Sequence, residues 1–197
     1  HHRGSLLDTT KRHQSGAHLF PSPCRCSGVD SSTVEELIAA SRRAAFLRDP
    51  SETIAAVDHA LGEIDSPGPH GRLLLARALA QQGLSDMAPA AADARASVSH
   101  LLAAGDLSAA AFATACAAGM VYRTGDATTA IDLAVDALVL LPDDDLSDEN
   151  LVRASNAMAM LFSQLSAFDL ALRSSRRAFA GALTQPDHNT RTITAYT

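Results

Sequence analysis

The sequence predicts an all-α chain of about four antiparallel helix pairs stacked side by side. Three observations carry this expectation. From Ser32 onward apolar residues recur at helical spacing, and no strand-like alternation survives. The chain is 47% apolar but only 4% aromatic, with no Trp. Much of its apolar content is Ala, the best helix former, whose small side chain suits closely packed helices better than a sandwich of sheets. Finally, breaks between helices return at a nearly constant interval, as in repeat architectures.

Ser32 followed by Glu35 has the form of a capping box opening the first helix, which carries Val34, Leu37, Ile38, Ala45 and Phe46. Asp49-Pro50-Ser51 ends it and starts a second helix with Ile54, Val57, Leu61 and Ile64. Ser66-Pro67-Gly68-Pro69 is a firm break. A third helix runs through Leu73, Leu75, Ala76 and Leu79 to Gly83. The fourth begins near Ser85-Asp86, takes Pro89 in its first turn, and runs to Gly105. The fifth spans Asp106 to Gly125, a Gly C-cap position. Asp126 caps the sixth, which reaches Leu141 before Pro142. Acidic Asp143-Asp144-Asp145 leads into a seventh, about Ser147 to Leu165, and an eighth covers about Phe168 to Thr184. The organisation expected is a disordered leader or tag over 1–30, a helical repeat domain over 31–184, and a tail or truncated further repeat over 185–197.

Breaks at Gly83, Gly125 and Ser166 are 42 and 41 residues apart, and five residues after each comes Ala88, Ala130 or Ala171. Small side chains at such places let antiparallel helices lie close. The stretch from Gly125 to Pro142 resembles the second half of a tetratricopeptide repeat: Gly125-Asp126 at the turn, Ala130-Ile131 opening helix B, Ala137-Leu138 as its second small-large pair, and Pro142 closing. Ala171-Leu172 and Ala178-Phe179 form a weaker copy. The pair around Gly83 keeps Ala88 but has Arg95 at the second Ala position, and the first pair, with Ala60-Leu61, is the poorest match. The family's large aromatic and Leu-Gly pair on helix A are absent, with Thr114, Ala117 and Ala118 in those places.

The resemblance covers about 150 residues, and its long period is similar to degenerate arrays of bacterial signalling proteins. It implies a right-handed superhelix whose A helices line a concave, partner-binding face. The positions implied are Ile38, Arg42 and Phe46 in the first pair and His70, Leu73, Arg77 and Gln81 in the second. Phe112, Gly119, Tyr122 and Arg123 follow in the third, and Arg153, Asn156, Met160 and Gln164 in the fourth. Polar binding is expected from Arg42, Arg77, Gln81, Tyr122, Arg123, Arg153, Asn156 and Gln164. Arginine outnumbers carboxylate in this set, so an acidic or carboxylate-ending peptide is the expected ligand.

A net charge of −6 without a basic stripe argues against nucleic-acid binding. Apolar runs such as Leu73-Leu74-Leu75-Ala76 are too short for a membrane span. Three cysteines are too few for a disulfide framework; Cys116 reads as a buried free thiol, and Cys24 and Cys26 sit in the leader, so a cytoplasmic setting is expected. The chain lacks a phosphate-binding Gly-rich loop, a Gly-x-Ser-x-Gly elbow and a His-Glu-x-x-His pair. Asp58-His59, adjacent in mid-helix, point in different directions; Asp187-His188-Asn189 follows Pro186 in a polar tail and reads as a solvated loop; and the acids from Asp143 to Glu149 fit a helix dipole better than a Ca²⁺ loop.

No catalytic residue, metal or cofactor is therefore expected. The function expected is a non-catalytic scaffold for protein or peptide partners, the interaction or sensory module of a larger bacterial signalling protein. The alternative is a regulatory small-molecule-binding module of a protein such as a diguanylate cyclase or transcriptional activator. An all-α enzyme would require groups such as Asp58, His59 and His100 to converge. Leu172, Ala178, Phe179 and Leu183 on the eighth helix await a cover, and the next turn at the same period falls near position 207. The expectation is a longer array cut short, or a homodimer through the C-terminal helix pair.

Overall fold

The computed structural model describes residues 32, 35–36, 50–142 and 147–185. They are all helical apart from connections: α1 (Pro50–Leu61), α2 (Pro67–Gly83), α3 (Met87–Ala103), α4 (Leu107–Arg123), α5 (Ala127–Leu140), α6 (Glu149–Gln164) and α7 (Phe168–Thr184). No strand occurs among the described residues. The leader, with Cys24 and Cys26, the acids Asp143 to Asp145, and the segment after Gln185 lie outside them. So does most of the first expected helix, including Arg42, although Ser32, Glu35 and Glu36 are helical.

Sequential helices pack on one another from α1 to α5, and α6 on α7. The order changes at α6, which lies against α4 and makes no substantial contact with α5 among the described residues. The all-α stack of helix pairs read from the sequence is thus present, with one irregular joint. That joint follows the eight-residue connection 141–148, which contains Pro142, where the connections before α3, α4 and α5 have three residues each.

Those short connections share one closure. A residue with positive φ ends the helix: Ser85 (61°), Gly105 (74°), Gly125 (96°) and Ser166 (59°). Around Ser85, Gly105 and Ser166 the chain makes the paired bonds of a Schellman turn. Asp86 N–H donates to Gln81 O at 3.0 Å and Ser85 N–H to Gln82 O at 3.0 Å, with the same pattern at Asp106/Leu101 and Ala167/Phe162. After the two left-handed glycines the next residue caps the following helix with its side chain: the Asp106 carboxylate accepts from Ala109 N–H at 3.2 Å and that of Asp126 from Thr129 N–H at 3.0 Å. After the long connection, Asp148 accepts from Asn150 N–H at 2.7 Å.

The turn of the second pair therefore lies at Ser85, a correction to the break expected at Gly83, which is the last residue of α2. Glycine drew the break two residues early because its freedom at φ > 0 is the usual sign of a C-cap, whereas here a serine bears the left-handed strain. Ala88 is accordingly exposed. Counted from Ser85, Gly125 and Ser166, the fifth residue is Ala90, Ala130 or Ala171, and the first two are fully buried with Ala171 packed against the core. The twelfth is Ser97, Ala137 or Ala178, all fully buried. The recurrence of small residues is more regular than the sequence alone suggests, with turns 40 and then 41 residues apart.

The main core runs from α2 to α6 around α4, and a smaller cluster joins α1 to α2 through Val57, Ala60, Ile64, Leu73 and Ala76. Cys116 is a free, fully enclosed thiol whose burial pushes its pKa up to about 12, against a small opposing effect of Arg153. It stays protonated at neutral pH. The closest approach of α2 and α3 is at Gly71, where a Cβ would stand 2.9 Å from Leu101 Cγ, 3.0 Å from His100 Cβ and 3.1 Å from Ser97 O.

Gly71 and Gly119 give a matched test, since a Cβ at Gly119 in α4 would meet nothing within 4 Å. Gly71→Ala forces α2 and α3 apart, so the clash outweighs the gain in helix propensity, and a net loss of about 1–2 kcal/mol is expected in urea unfolding. Gly119→Ala is expected to add about 0.5–1 kcal/mol.

Candidate interaction surface

The polar residues assigned to a ligand groove divide into those already satisfied internally and those left exposed. Arg77 belongs to the first group. Its Nε and Nη2 donate to the two oxygens of Asp93 on α3 at 2.6 and 2.8 Å, and its Nη1 to Asp58 on α1 at 2.6 Å. This fork raises the guanidinium pKa above its already high value and ties three helices together. Arg153 donates from Nε to Glu149 one turn earlier on α6 at 2.7 Å. Tyr122 and Gln164 are brought together across α4 and α6, with the Tyr122 hydroxyl donating to the Gln164 carbonyl oxygen at 3.1 Å.

Gln81 is half-buried, and its Oε1 has no hydrogen-bond partner among the described residues. Arg123 is exposed and Asn156 half-buried. Leu73 and Phe112, placed on the groove by the repeat pattern, are buried core residues instead. An acidic peptide would therefore find Arg77 already occupied by two carboxylates, a pairing hidden from the sequence because Asp58 and Asp93 are 19 and 16 positions away.

A second charged cluster joins α2 to the start of α4. Arg72 Nε and Nη2 donate to the same Asp106 oxygen at 3.1 and 2.7 Å, and Nη1 donates to Glu35 at 2.7 Å. Burial works to raise the Asp106 pKa, but the bonds from Arg72 and the Ala109 amide outweigh it and hold the carboxyl below the usual range. An open groove of about 440 Å³ lies here, lined by Glu35, Gly68, Pro69, Arg72, Ala104, Gly105 and Asp106. Its one guanidinium is paired with two carboxylates. Beside it the rings of His70 and His100 stand 4.5 Å apart, and His70 Nδ1 lies 3.1 Å from Ile64 O. Among the described residues no three His, Cys, Asp or Glu side chains are placed to hold a metal.

The larger unsatisfied surface is apolar and lies on α5 and α7, the second helices of the last two pairs. Counted from the turns, Ala91 and Val98 on α3 correspond to Ile131 and Leu138 on α5 and to Leu172 and Phe179 on α7. On α3, which is followed by a helix packed against it, both residues join the core. On α5 the next helix has moved away, and Ile131 and Leu138 are 48% and 40% exposed. On α7 the equivalents are 50% and 51% exposed. Val135 and Val139 extend the first stripe, and Phe168 and Leu183 the second. The α7 stripe was legible from helical spacing alone. The α5 stripe was missed, because the sequence shows an apolar helix but not that its following neighbour swings aside.

No helix among the described residues is long and apolar enough to cross a membrane. Comparison of the chain with protein-family models, curated proteins and solved structures found no match.

The Arg72–Asp106 link is open to a pH test. Because the Asp106 pKa is depressed in the folded chain, its contribution is present above the unfolded carboxylate value of about 3.9 and disappears as pH falls through the lower folded value. Asp106→Asn keeps a side chain able to cap α4 but removes the charge. It is expected to cost about 1 kcal/mol at pH 7, with the gap from the parent closing below about pH 4. Urea midpoints measured across that range check both.

Proposed function

We propose that the chain is a non-catalytic helical-repeat scaffold of the tetratricopeptide type that holds a protein partner, acting as an interaction module within a cytoplasmic signalling protein. The observation that carries this reading is the pair of apolar stripes on α5 and α7. They occupy the repeat positions that α3 buries under its neighbour. Contiguous exposed apolar side chains at one helical face mark interaction surfaces, because leaving them in water forgoes roughly 25 cal/mol for each Å² that a partner helix would cover.

The internal pairing of Arg77 and Arg153 moves the expected contact away from an acidic ligand and towards an apolar helix. Regulatory binding of a small molecule is the second reading, and the groove at Arg72 is the place that favours it.

Leu172→Glu combined with Phe179→Glu tests the first reading. Both residues are about half exposed, so unfolding temperature and helical circular dichroism are expected to change little. Proteins retained from a lysate by the parent chain are expected to be lost at least about tenfold by the variant, as removal of central apolar anchors costs 1–2 kcal/mol or more. Equal retention by both chains would sink the reading, as would stabilisation by a metabolite in a thermal-shift screen with no protein retained.

A further inference from the structure

We infer that the occupant of the α7 stripe is the α5 stripe of a second copy of this chain, so that copies associate head to tail. The inference rests on the scaffold reading above and adds the partner's identity, the contact register and the symmetry.

Two apolar helix faces in one molecule carry opposite charges along matching edges. Asp132 and Asp136 follow Ile131 and Val135 by one position, and both are exposed. Arg173 and Arg176 follow Leu172 and Ser175 by one position, and both are exposed. α5 contains no basic residue, and α7 contains three arginines against one acid, Asp169. A residue one position on stands about 100° round the helix, so each charged pair lies on the same flank of its stripe. When two helices pack face to face and antiparallel, like flanks meet. One register then satisfies these pairs together: Phe179 against Ile131, Leu172 against Leu138, Arg176 beside Asp132 and Arg173 beside Asp136.

Charge also decides against the simpler two-fold alternatives. Packing α7 antiparallel on itself so that Leu172 meets Phe179 brings Arg176 opposite its own copy. Packing α5 on itself so that Val135 meets Leu138 does the same with Asp136. Like charges directly opposed at an interface oppose association, whereas the α7-on-α5 contact pairs both edges. It leaves one α5 and one α7 face free at the ends, the mark of a heterologous contact. The contact is small, so association belongs at the weak end of protein interfaces.

The full chain is examined by sedimentation velocity from about 10 μM to about 1 mM, a range that brackets weak association. Concentration-dependent species are expected for the parent. Asp132→Arg with Asp136→Arg, and separately Arg173→Asp with Arg176→Asp, are each expected to weaken self-association at least about tenfold, and an equimolar mixture of the two variants to restore it. A parent that stays monomeric throughout overturns the inference. So does self-association untouched by the α5 substitutions, which would indicate a two-fold contact through α7. If the parent is monomeric while Leu172→Glu/Phe179→Glu still abolishes capture of another protein, only the identity of the occupant fails and the scaffold reading stands.

Discussion

The structure depends on α4 being thin. From Ala109 to Ala118 every residue of this helix is buried, and all but Phe112, Thr114 and Cys116 are alanine. A helix apolar on every side must be enclosed on every side, and α4 packs against α3, α5 and α6. Three helices can crowd one axis only if the side chains between them are short, so packing here gains from many close backbone and Cβ contacts rather than from a few large side chains. A larger residue anywhere along that run would force neighbouring helices apart, and the register of the whole stack with them.

Close packing of this kind needs helices that begin and end at fixed heights. The turns supply this. A left-handed residue after each helix, joined at α3–α4 and α4–α5 by an Asp that caps the next helix, gives connections of only three residues at α2–α3, α3–α4 and α4–α5. Helices of 17 residues then return every 20, which places Ala90 and Ala130 at the same depth. The long acidic connection before α6 breaks that rhythm. Once α6 is free of the short turn it settles against α4, and the face of α5 it would have covered remains open. The exposed stripe lies where α6 leaves α5 uncovered.

Much of this was readable from the residues. Helix boundaries, the aspartate caps, the buried Cys116 and the uncovered α7 face follow from periodicity and local turn chemistry, which act over a few residues. Four features were not readable for the opposite reason. Ser85 takes a conformation that glycine usually marks. Leu73 and Phe112 fill core positions that the repeat pattern assigns to a groove. Asp58 and Asp93 reach Arg77 from two other helices. α6 chooses between two neighbours by tertiary contact, to which no local signal corresponds.

The fate of the arginines bears on what kind of surface this molecule offers. Arg77 and Arg72 each meet two carboxylates from other parts of the chain, so their charge serves to join helices. A ligand competing for either would have to displace bonds that are already short and partly shielded from water, and would leave carboxylates unpaired in their place. Arg173 and Arg176 stand on the outer side of α7 beside exposed leucine and phenylalanine. There a charge costs nothing to leave solvated, yet it can select among partners once an apolar face has been covered. In the described part of this chain unsatisfied apolar area and uncommitted charge coincide on the exposed faces of α5 and α7 rather than on the helices expected to line a groove.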